Sequence, residues 1–278
     1  IMDTDQVQAR QRIPELDFLR GCALSLMMFH HAIGDLYEIY KIDFFAFQHH
    51  YWFYYVGQPL VLAVFLTVSG VSSRFSRNNM KRGLRMMLAS LAMVALTITV
   101  DYFTHIGIIL FNVIQVVTVS TLIYALIEKL AEKRGWMPPP EVAQSIGEKD
   151  VLPKDRQHIM VGVLIITGIL GIFAASIIDP VLPEVTKNPL LVILGSAAEG
   201  IHVLDQMPLF PWIGFFLAGA AIGHTLYAPG LPLTKGEGFF HTLGRPFRFL
   251  GRHSLWVYLL HQPIFLLIFW LLSKSGVL

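Results

Sequence analysis

The sequence predicts an all-α integral membrane protein, a polytopic helical bundle of about seven transmembrane helices with a short re-entrant or interfacial segment. Composition is the first observation: 54% of the 278 residues are hydrophobic and only 14% are charged, whereas soluble domains carry about 25% charged residues. The second is a series of long apolar runs, and the third is the one-sided distribution of Lys and Arg between them.

Seven apolar runs have the length of a membrane span. A helix needs roughly 20 apolar residues to cross about 30 Å of hydrocarbon, and their lack of period-2 alternation favours helices over strands. The predicted spans are residues 16–36, 54–71, 84–103, 106–127, 159–178, 209–226 and 255–272.

Lys and Arg define the predicted orientation. With the N-terminus placed in the cytoplasm, 18 of the 21 Lys and Arg residues fall on the cytoplasmic side, as the positive-inside rule requires. The C-terminus is then extracytoplasmic. Residues 189–198 are apolar but too few to cross the bilayer, and an eighth span there would move four basic residues outside, so this stretch is predicted to be re-entrant or interfacial.

The chain is predicted to form a single transmembrane domain over residues 1–278, located in the cell membrane. A cytoplasmic linker is expected at about 128–157, where three prolines at 138–140 and mixed charges interrupt the apolar pattern. The single cysteine, Cys22, excludes an intrachain disulfide. The lipid bilayer is the expected macromolecular environment, and no nucleic-acid partner is predicted.

The first predicted span contains a stripe of ionisable residues. Asp17, Arg20, His31 and Asp35 share nearly one azimuth at about 100° per residue, and Arg20 lies roughly 16 Å along the axis from His31. Ionisable groups inside a membrane are costly and usually face a partner or a cavity. The stripe is therefore predicted to form a site inside the bundle.

Polar residues on the extracytoplasmic side give further candidates. The loop 37–55 is rich in aromatic residues, and most of these, Trp52 included, suit the membrane interface. His49 lies in the same loop, on the predicted side of His31 and Asp35. Asp205, at the outer boundary before the sixth span, is interpreted either as the N-terminal cap of that helix or as a site residue.

The remaining histidines give weaker signals. His261 shares a face of the last span with Ser254 and Tyr258, and a satisfied packing residue is the simpler interpretation of such a buried histidine. The His-His pairs at 30–31 and 49–50 lack the spacing of known zinc motifs, so no metal site is predicted.

Four segments in order resemble a known family. LDFLRGCALSLMMFHH, FLTVSG, PLFPWIGFFLAG and LGRHSLWVYLLHQP are similar to segments of the heparan-alpha-glucosaminide N-acetyltransferase-like membrane proteins, within the wider transmembrane acyltransferase superfamily. The resemblance extends over nearly the whole chain, from Arg12 to Pro263.

The resemblance implies site residues. In the related acyltransferase 3 branch, ten residues lie between an Arg and a His on the first span, and Arg20 and His31 have that spacing. In the heparan-acetylating branch a catalytic His lies in the following outer loop ahead of a Trp, where His49 and Trp52 stand here, although that branch has Asn at the position of His31. The known enzymes have ten or eleven spans, more than are predicted here.

The implied activity is acyl transfer through the bilayer, from cytoplasmic acetyl-CoA to an extracytoplasmic, carbohydrate-type acceptor by N- or O-acetylation. His31, His49 and Asp35 are the implied catalytic residues, since a histidine can remove the acceptor proton and a carboxylate one turn away can fix its tautomer. Trp52 and Asp205 are assigned to the substrate side.

Basic residues are assigned to the CoA phosphates, because guanidinium groups pair well with phosphate. This set is Arg20, Arg74, Arg82 and Arg252. For the cluster from Arg74 to Arg85, a role restricted to fixing the membrane orientation is an equally good interpretation.

Two other functions stay open. A small-solute or proton-coupled transporter or flippase would also use buried His, Asp and Arg, and a non-catalytic membrane subunit would keep the motifs for packing. A CoA site open to the cytoplasm distinguishes the enzyme from the transporter. The expected partners are a small-molecule acyl donor and a sugar-like acceptor, with a homodimer as an alternative to a monomer.

Overall fold

The computed structural model describes residues 13–105, 107–137, 154–227, 233 and 244–278. Helices dominate this part of the chain, joined by short 3₁₀ and π turns and two short parallel strands. The helices are α1 Pro14–Glu38, α2 Gln58–Ser73, α3 Asn79–Thr104, α4 Val113–Lys133, α5 Lys154–Ile178, α6 Pro189–Leu194, α7 Trp212–Thr225, α8 Arg245–Arg252 and α9 Ser254–Lys274.

Among the described residues, five helical segments are long and apolar enough to cross a membrane, which confirms the helical membrane-protein class. They are Trp52–Ser73, Asn79–Thr104, Val113–Lys133, His158–Val181 and Ser254–Lys274. Helix α1 has 25 residues, about 37 Å at the rise of an α-helix, but it carries more charge than these five. Helix α7 has only 14 residues, too few to cross alone. The count of seven spans stays a prediction.

The described residues form two compact units. Unit 1 comprises residues up to Val68 together with those from Leu231 onward, and unit 2 comprises Ser69–Gly230. Helix α2 contributes its first part to unit 1 and its last turn to unit 2. The prediction of a single domain stays a prediction.

Unit 1 is built on a close crossing of α1 and α8. Pro14 starts α1, where its missing N–H costs nothing because the first turn has no intrahelical acceptor. Gly21 of α1 lies against the backbone of Phe247, and Gly251 of α8 lies against the backbone of Asp17. The absence of side chains at both glycines allows the two helix backbones to touch.

Unit 2 contains a second close crossing, between α5 and α7. Gly168 and Gly171 of α5 face Gly214 of α7, and a Cβ on Gly214 would lie 2.6 Å from the Gly168 carbonyl oxygen. A Cβ on Gly70 would likewise overlap the carbonyl oxygen of Phe216. The small residues of α7 therefore serve helix packing, as the sequence indicates.

Helix α4 begins at Val113, not near residue 106. Asn112 is its N-cap: its side chain accepts a hydrogen bond from the backbone N–H of Ile114, and the Gln115 side chain accepts one from the backbone N–H of Asn112. Before the cap the chain is extended, and Ile108 pairs with Val203. Hydropathy does not distinguish this apolar extended stretch from helix.

The short apolar stretch before residue 198 does not cross the bilayer. It folds as the six-residue helix α6, between the parallel strands Val185–Thr186 and Ala197–Ala198. The amide of Gln206 donates hydrogen bonds to the carbonyls of Val192 and Ser196, at 3.1 and 2.7 Å. The pairing of Ile108 with Val203 places this segment beside the start of α4.

The predicted linker at 128–157 is shortened at both ends by helix. Helix α4 continues to Lys133, and α5 begins at Lys154. Residues 138–153, which include the three prolines, lie outside the described part of the chain.

Candidate functional site

In unit 1 the ionisable stripe of α1 meets the last helix, α9. The imidazole rings of His31 and His261 lie 5.1 Å apart, centroid to centroid. One turn further along α1, the side-chain amide of Gln262 donates to both carboxylate oxygens of Asp35, at 2.9 and 3.0 Å. His31 and Asp35 therefore contact polar groups of the protein, as expected for ionisable residues in a membrane helix.

The loop after α1 folds back onto the same end of this helix. Its 3₁₀ helix Asp43–His49 and the π turn Trp52–Gly57 bring the His49 ring to 5.0 Å from Tyr37 and stack Phe53 on His30 at 5.7 Å. His30 in turn lies 5.8 Å from His31. His30, His31 and His261 thus form a series of neighbouring imidazoles, and His49 packs on Tyr37 of the same helix.

Trp52 is 60% exposed and contacts the ring of Phe53 at 5.4 Å. Its exposure fits both the interfacial and the substrate-side interpretation, so its assignment stays a prediction.

The two basic candidates of unit 1 lie at the other end of α1, Arg20 on α1 itself and Arg252 on α8. Arg252 of α8 forms an ion pair with Asp17, Nε to Oδ2, at 3.2 Å. Arg20 Nη1 donates to the Gly251 carbonyl at 3.5 Å. Both guanidinium groups lie at the α1–α8 crossing, so a single structural element positions them.

In unit 2, Arg82 and Arg74 belong to a buried polar cluster. Arg82 Nη1 donates to the Ser73 hydroxyl at 3.2 Å. The Asn79 amide donates to Glu128 at 2.8 Å and to the Ser73 carbonyl at 2.9 Å. Arg74 lies close enough to Glu128 for a charge interaction.

The same cluster extends to α7 through a tyrosine. The hydroxyl of Tyr124 is 2.9 Å from His224 Nε2 and also hydrogen-bonds with Glu128. Tyr124 is completely buried. Glu128 lies beside Arg74, and Arg82 donates to Ser73, so both arginines have partners within unit 2 and their CoA-binding role stays a prediction.

Asp205 is held at the start of α4, elsewhere in unit 2. Its Oδ2 accepts a hydrogen bond from Asn112 Nδ2 at 3.3 Å. Helix α7 begins later, at Trp212 with Pro211 as its N-cap, so the interpretation of Asp205 as a cap of that helix is wrong. Burial raises the pKa of Asp205 above its ordinary value, although the hydrogen bond from Asn112 opposes the shift.

Within the described residues, no group of three or more His, Cys, Asp and Glu side chains is arranged to hold a metal ion.

Two residues of this arrangement are absent from the site predicted from sequence. The sequence pattern does not single out Gln262 and favours a packing role for His261. In the structure both residues contact the predicted catalytic residues of α1. The available signal was the His-Gln-Pro triplet ending at Pro263: it places two polar side chains in the middle of an apolar span, where polar residues need partners.

Comparison with known proteins gives one family. The family model described as "Heparan-alpha-glucosaminide N-acetyltransferase, catalytic" matches residues 12–138 and 152–263, which is most of the chain. No curated protein and no solved structure gives a significant match to the sequence.

Proposed function

Because this chain belongs to the heparan-alpha-glucosaminide N-acetyltransferase catalytic family, we propose that it moves an acetyl group from cytoplasmic acetyl-CoA to an extracytoplasmic, carbohydrate-type acceptor. Family membership supports a membrane acetyltransferase. The donor, the acceptor and the residue roles below are our proposal. The observation that carries it is the contact of the α1 stripe with His261 and Gln262, which gives a membrane helix a group of imidazoles beside a hydrogen-bonded carboxylate.

Acyl transfer requires a base for the acceptor proton and a donor of hydrogen bonds to the developing oxyanion. We assign His31 to the thioester and His49, in the outer loop, to the acceptor. Asp35 lies one turn beyond His31, and its two hydrogen bonds from Gln262 hold the carboxylate in one orientation. Trp52 and Asp205 are the proposed acceptor-side residues.

The donor is proposed to bind through basic residues toward the cytoplasm. Arg20 and Arg252 share the α1–α8 crossing in unit 1, and Arg74 and Arg82 share the polar cluster of unit 2. Guanidinium groups match phosphate in charge and geometry. The family's donor supports acetyl-CoA as the ligand, and the phosphates of CoA are the part that these residues suit.

The proposed topology has seven spans, a cytoplasmic N-terminus and an extracytoplasmic C-terminus in one transmembrane domain. The distribution of Lys and Arg supports it. In a chain lacking Cys22, a Ser145→Cys variant should resist a membrane-impermeant thiol reagent added from outside. Residue 145 lies outside the described residues, and labelling there from outside contradicts the orientation.

The test of function is acetyl transfer by purified protein in proteoliposomes, with radiolabelled acetyl-CoA and glucosamine as the acceptor probe. His31→Ala and His49→Ala should each lower the transfer rate by roughly 10²–10⁴-fold. His50→Ala is the matched control, since this exposed neighbour has no assigned role. Full activity of His49→Ala would remove that residue from the site and leave His31 to act alone.

Donor binding is measured separately with labelled acetyl-CoA. Arg20→Gln and Arg74→Gln should weaken binding, whereas His49→Ala should not, because His49 is assigned to the acceptor. Arg77→Gln is the control for loss of positive charge, since Arg77 is exposed in the same basic segment as Arg74. Equal effects of Arg74→Gln and Arg77→Gln would favour an orientation role. A wild-type protein that neither binds nor consumes acetyl-CoA would favour the transporter.

A further inference from the structure

His261 is a buried histidine, and among the described residues one of its two ring nitrogens has a hydrogen-bond partner. Its side chain is 5% exposed, and Nδ1 lies 2.6 Å from the Tyr258 carbonyl oxygen. A carbonyl can only accept, so Nδ1 carries the proton and donates it. In the neutral imidazole, Nε2 then has a free lone pair and is the basic atom of the ring.

The basic nitrogen has no hydrogen-bond partner in the part of the chain that the structure describes. Nearly all buried polar atoms in proteins are hydrogen-bonded, and the exceptions call for an explanation such as a catalytic role. The backbone hydrogen bond of Nδ1 fixes the tautomer and the ring orientation, as in the known histidine bases of acyl transfer.

The neighbours of His261 place its ring beside the residues of the proposed reaction site. The ring of His31, which we assign to the thioester, is 5.1 Å away, and the remaining ring contacts are Tyr258 at 5.4 Å and Phe265 at 5.9 Å. The next residue, Gln262, is the one that holds Asp35. His261 therefore joins the α1 stripe at the position of the implied catalytic residues, from a different helix.

We propose that His261 is a catalytic residue of the acetyl transfer and acts as its general acid–base. As the acceptor oxygen or nitrogen forms its bond to the thioester carbonyl carbon, Nε2 of His261 takes the acceptor proton. When the carbon–sulfur bond breaks, the imidazolium returns that proton to the CoA thiolate, so the neutral histidine is regenerated. This inference depends on the proposed function and assigns its proton transfer to His261, while His49 holds the acceptor and His31 the thioester.

A structural role and a catalytic role of His261 predict different results for His261→Asn. The Asn side-chain amide can occupy the place of Nδ1 and donate to the Tyr258 carbonyl, but it has no basic nitrogen in place of Nε2. If His261 only packs and hydrogen-bonds, His261→Asn should keep its activity. If Nε2 is the base, the transfer rate should fall by roughly 10²–10⁴-fold.

The experiment compares wild type, His261→Asn and His261→Gln in the proteoliposome assay, with His253→Asn as the matched control. His253 is exposed, directly before α9, and has no assigned role. We expect both His261 variants to lose turnover while binding of acetyl-CoA remains within about twofold, because a base acts on the transition state rather than on ground-state binding. Added imidazole should restore part of the rate in His261→Asn but not change His253→Asn.

The outcomes are distinct. An active wild type with His261→Asn or His261→Gln within about threefold of it overturns the role of His261 and leaves the proposed function intact. Loss of turnover with an equal loss of acetyl-CoA binding and no imidazole rescue also overturns it, since that indicates a structural residue. A wild type that neither transfers nor hydrolyses acetyl-CoA contradicts the proposed function itself.

Discussion

The crossing of α1 and α8 allows a sharp test of the packing that positions Arg20 and Arg252, the proposed donor-binding residues of unit 1. A Cβ on Gly251 would overlap the Asp17 carbonyl oxygen and lie 2.8 Å from its carbonyl carbon. A Cβ on Gly21 would overlap the carbonyl oxygen of Phe247 and lie 2.5 Å from its carbonyl carbon. In both cases the obstacle is backbone, which cannot rotate away as a side chain can, so Gly251→Ala must separate the two helices.

The expected change in the free energy of unfolding follows from two opposing effects of the added methyl group. Overpacking by one methyl group costs about 1–3 kcal/mol when neighbours cannot rearrange, and the upper part of that range applies where the obstacle is backbone. Replacing a helical glycine with alanine stabilises the helix by roughly 0.5–1 kcal/mol. We therefore expect a net destabilisation of about 1–2 kcal/mol for Gly251→Ala and for Gly21→Ala. Gly162→Ala in α5 is the matched control, since nothing lies within 4 Å of a Cβ there, and it should be neutral or stabilising.

Thermal unfolding of the detergent-solubilised protein measures the stability, and acetyl-CoA binding measures the consequence for the site. Separation of the helices should weaken both the Arg252–Asp17 ion pair and the contact of Arg20 with the Gly251 carbonyl. Gly251→Ala should therefore lower the melting temperature and weaken donor binding together. The packing argument is refuted if Gly251→Ala is as stable as Gly162→Ala. Reduced stability with unchanged donor binding would instead remove Arg20 and Arg252 from the donor site.

Two further predictions concern unit 2. Tyr124→Phe removes the hydroxyl that contacts His224 and Glu128. It should destabilise the protein by about 1–3 kcal/mol, because these buried polar groups lose their partner. The control Tyr51→Phe, at an exposed position, should have no comparable effect on the melting temperature. Burial raises the pKa of Asp205 in the folded protein, so Asp205 binds a proton more tightly in the folded state than in the unfolded state. Its contribution to stability is therefore greatest below the ordinary carboxyl pKa and is lost as the pH rises through the raised pKa. Asp205→Asn should flatten that part of the melting temperature–pH profile, and an unchanged profile would show that another group is responsible.

The helices were largely predictable because their causes are local. A long apolar run, Pro14 at the first turn and the polar residues beyond each end indicate α1 and most other helices to within a few residues. The start of α4 was missed because it depends on Asn112, Gln115 and the pairing of Ile108 with Val203. An apolar extended segment and an apolar helix have the same hydropathy, and only the cap and the long-range pairing distinguish them.

The candidate site was predictable to the extent that it lies on one helix. Arg20, His31 and Asp35 share a face of α1, and a period of 3.6 residues is sufficient to group them. Gln262 and His261 are more than 200 residues away along the chain, and their contacts with α1 depend on how the helices pack, which no local pattern specifies.

A buried membrane histidine has the same sequence signature whether it packs or reacts. The difference lies in the state of each ring nitrogen: a histidine with both nitrogens bonded is structurally satisfied, whereas one with a fixed Nδ1 proton and an unpartnered Nε2 is prepared to accept a proton. His261 belongs to the second kind. The position of His261 in the middle of an apolar span indicates burial but not the state of its ring nitrogens. Burial of a basic nitrogen without a hydrogen-bond partner is costly. An unpartnered Nε2 on the ring beside His31 does not stabilise the fold. Acid–base chemistry therefore explains this nitrogen better than packing does.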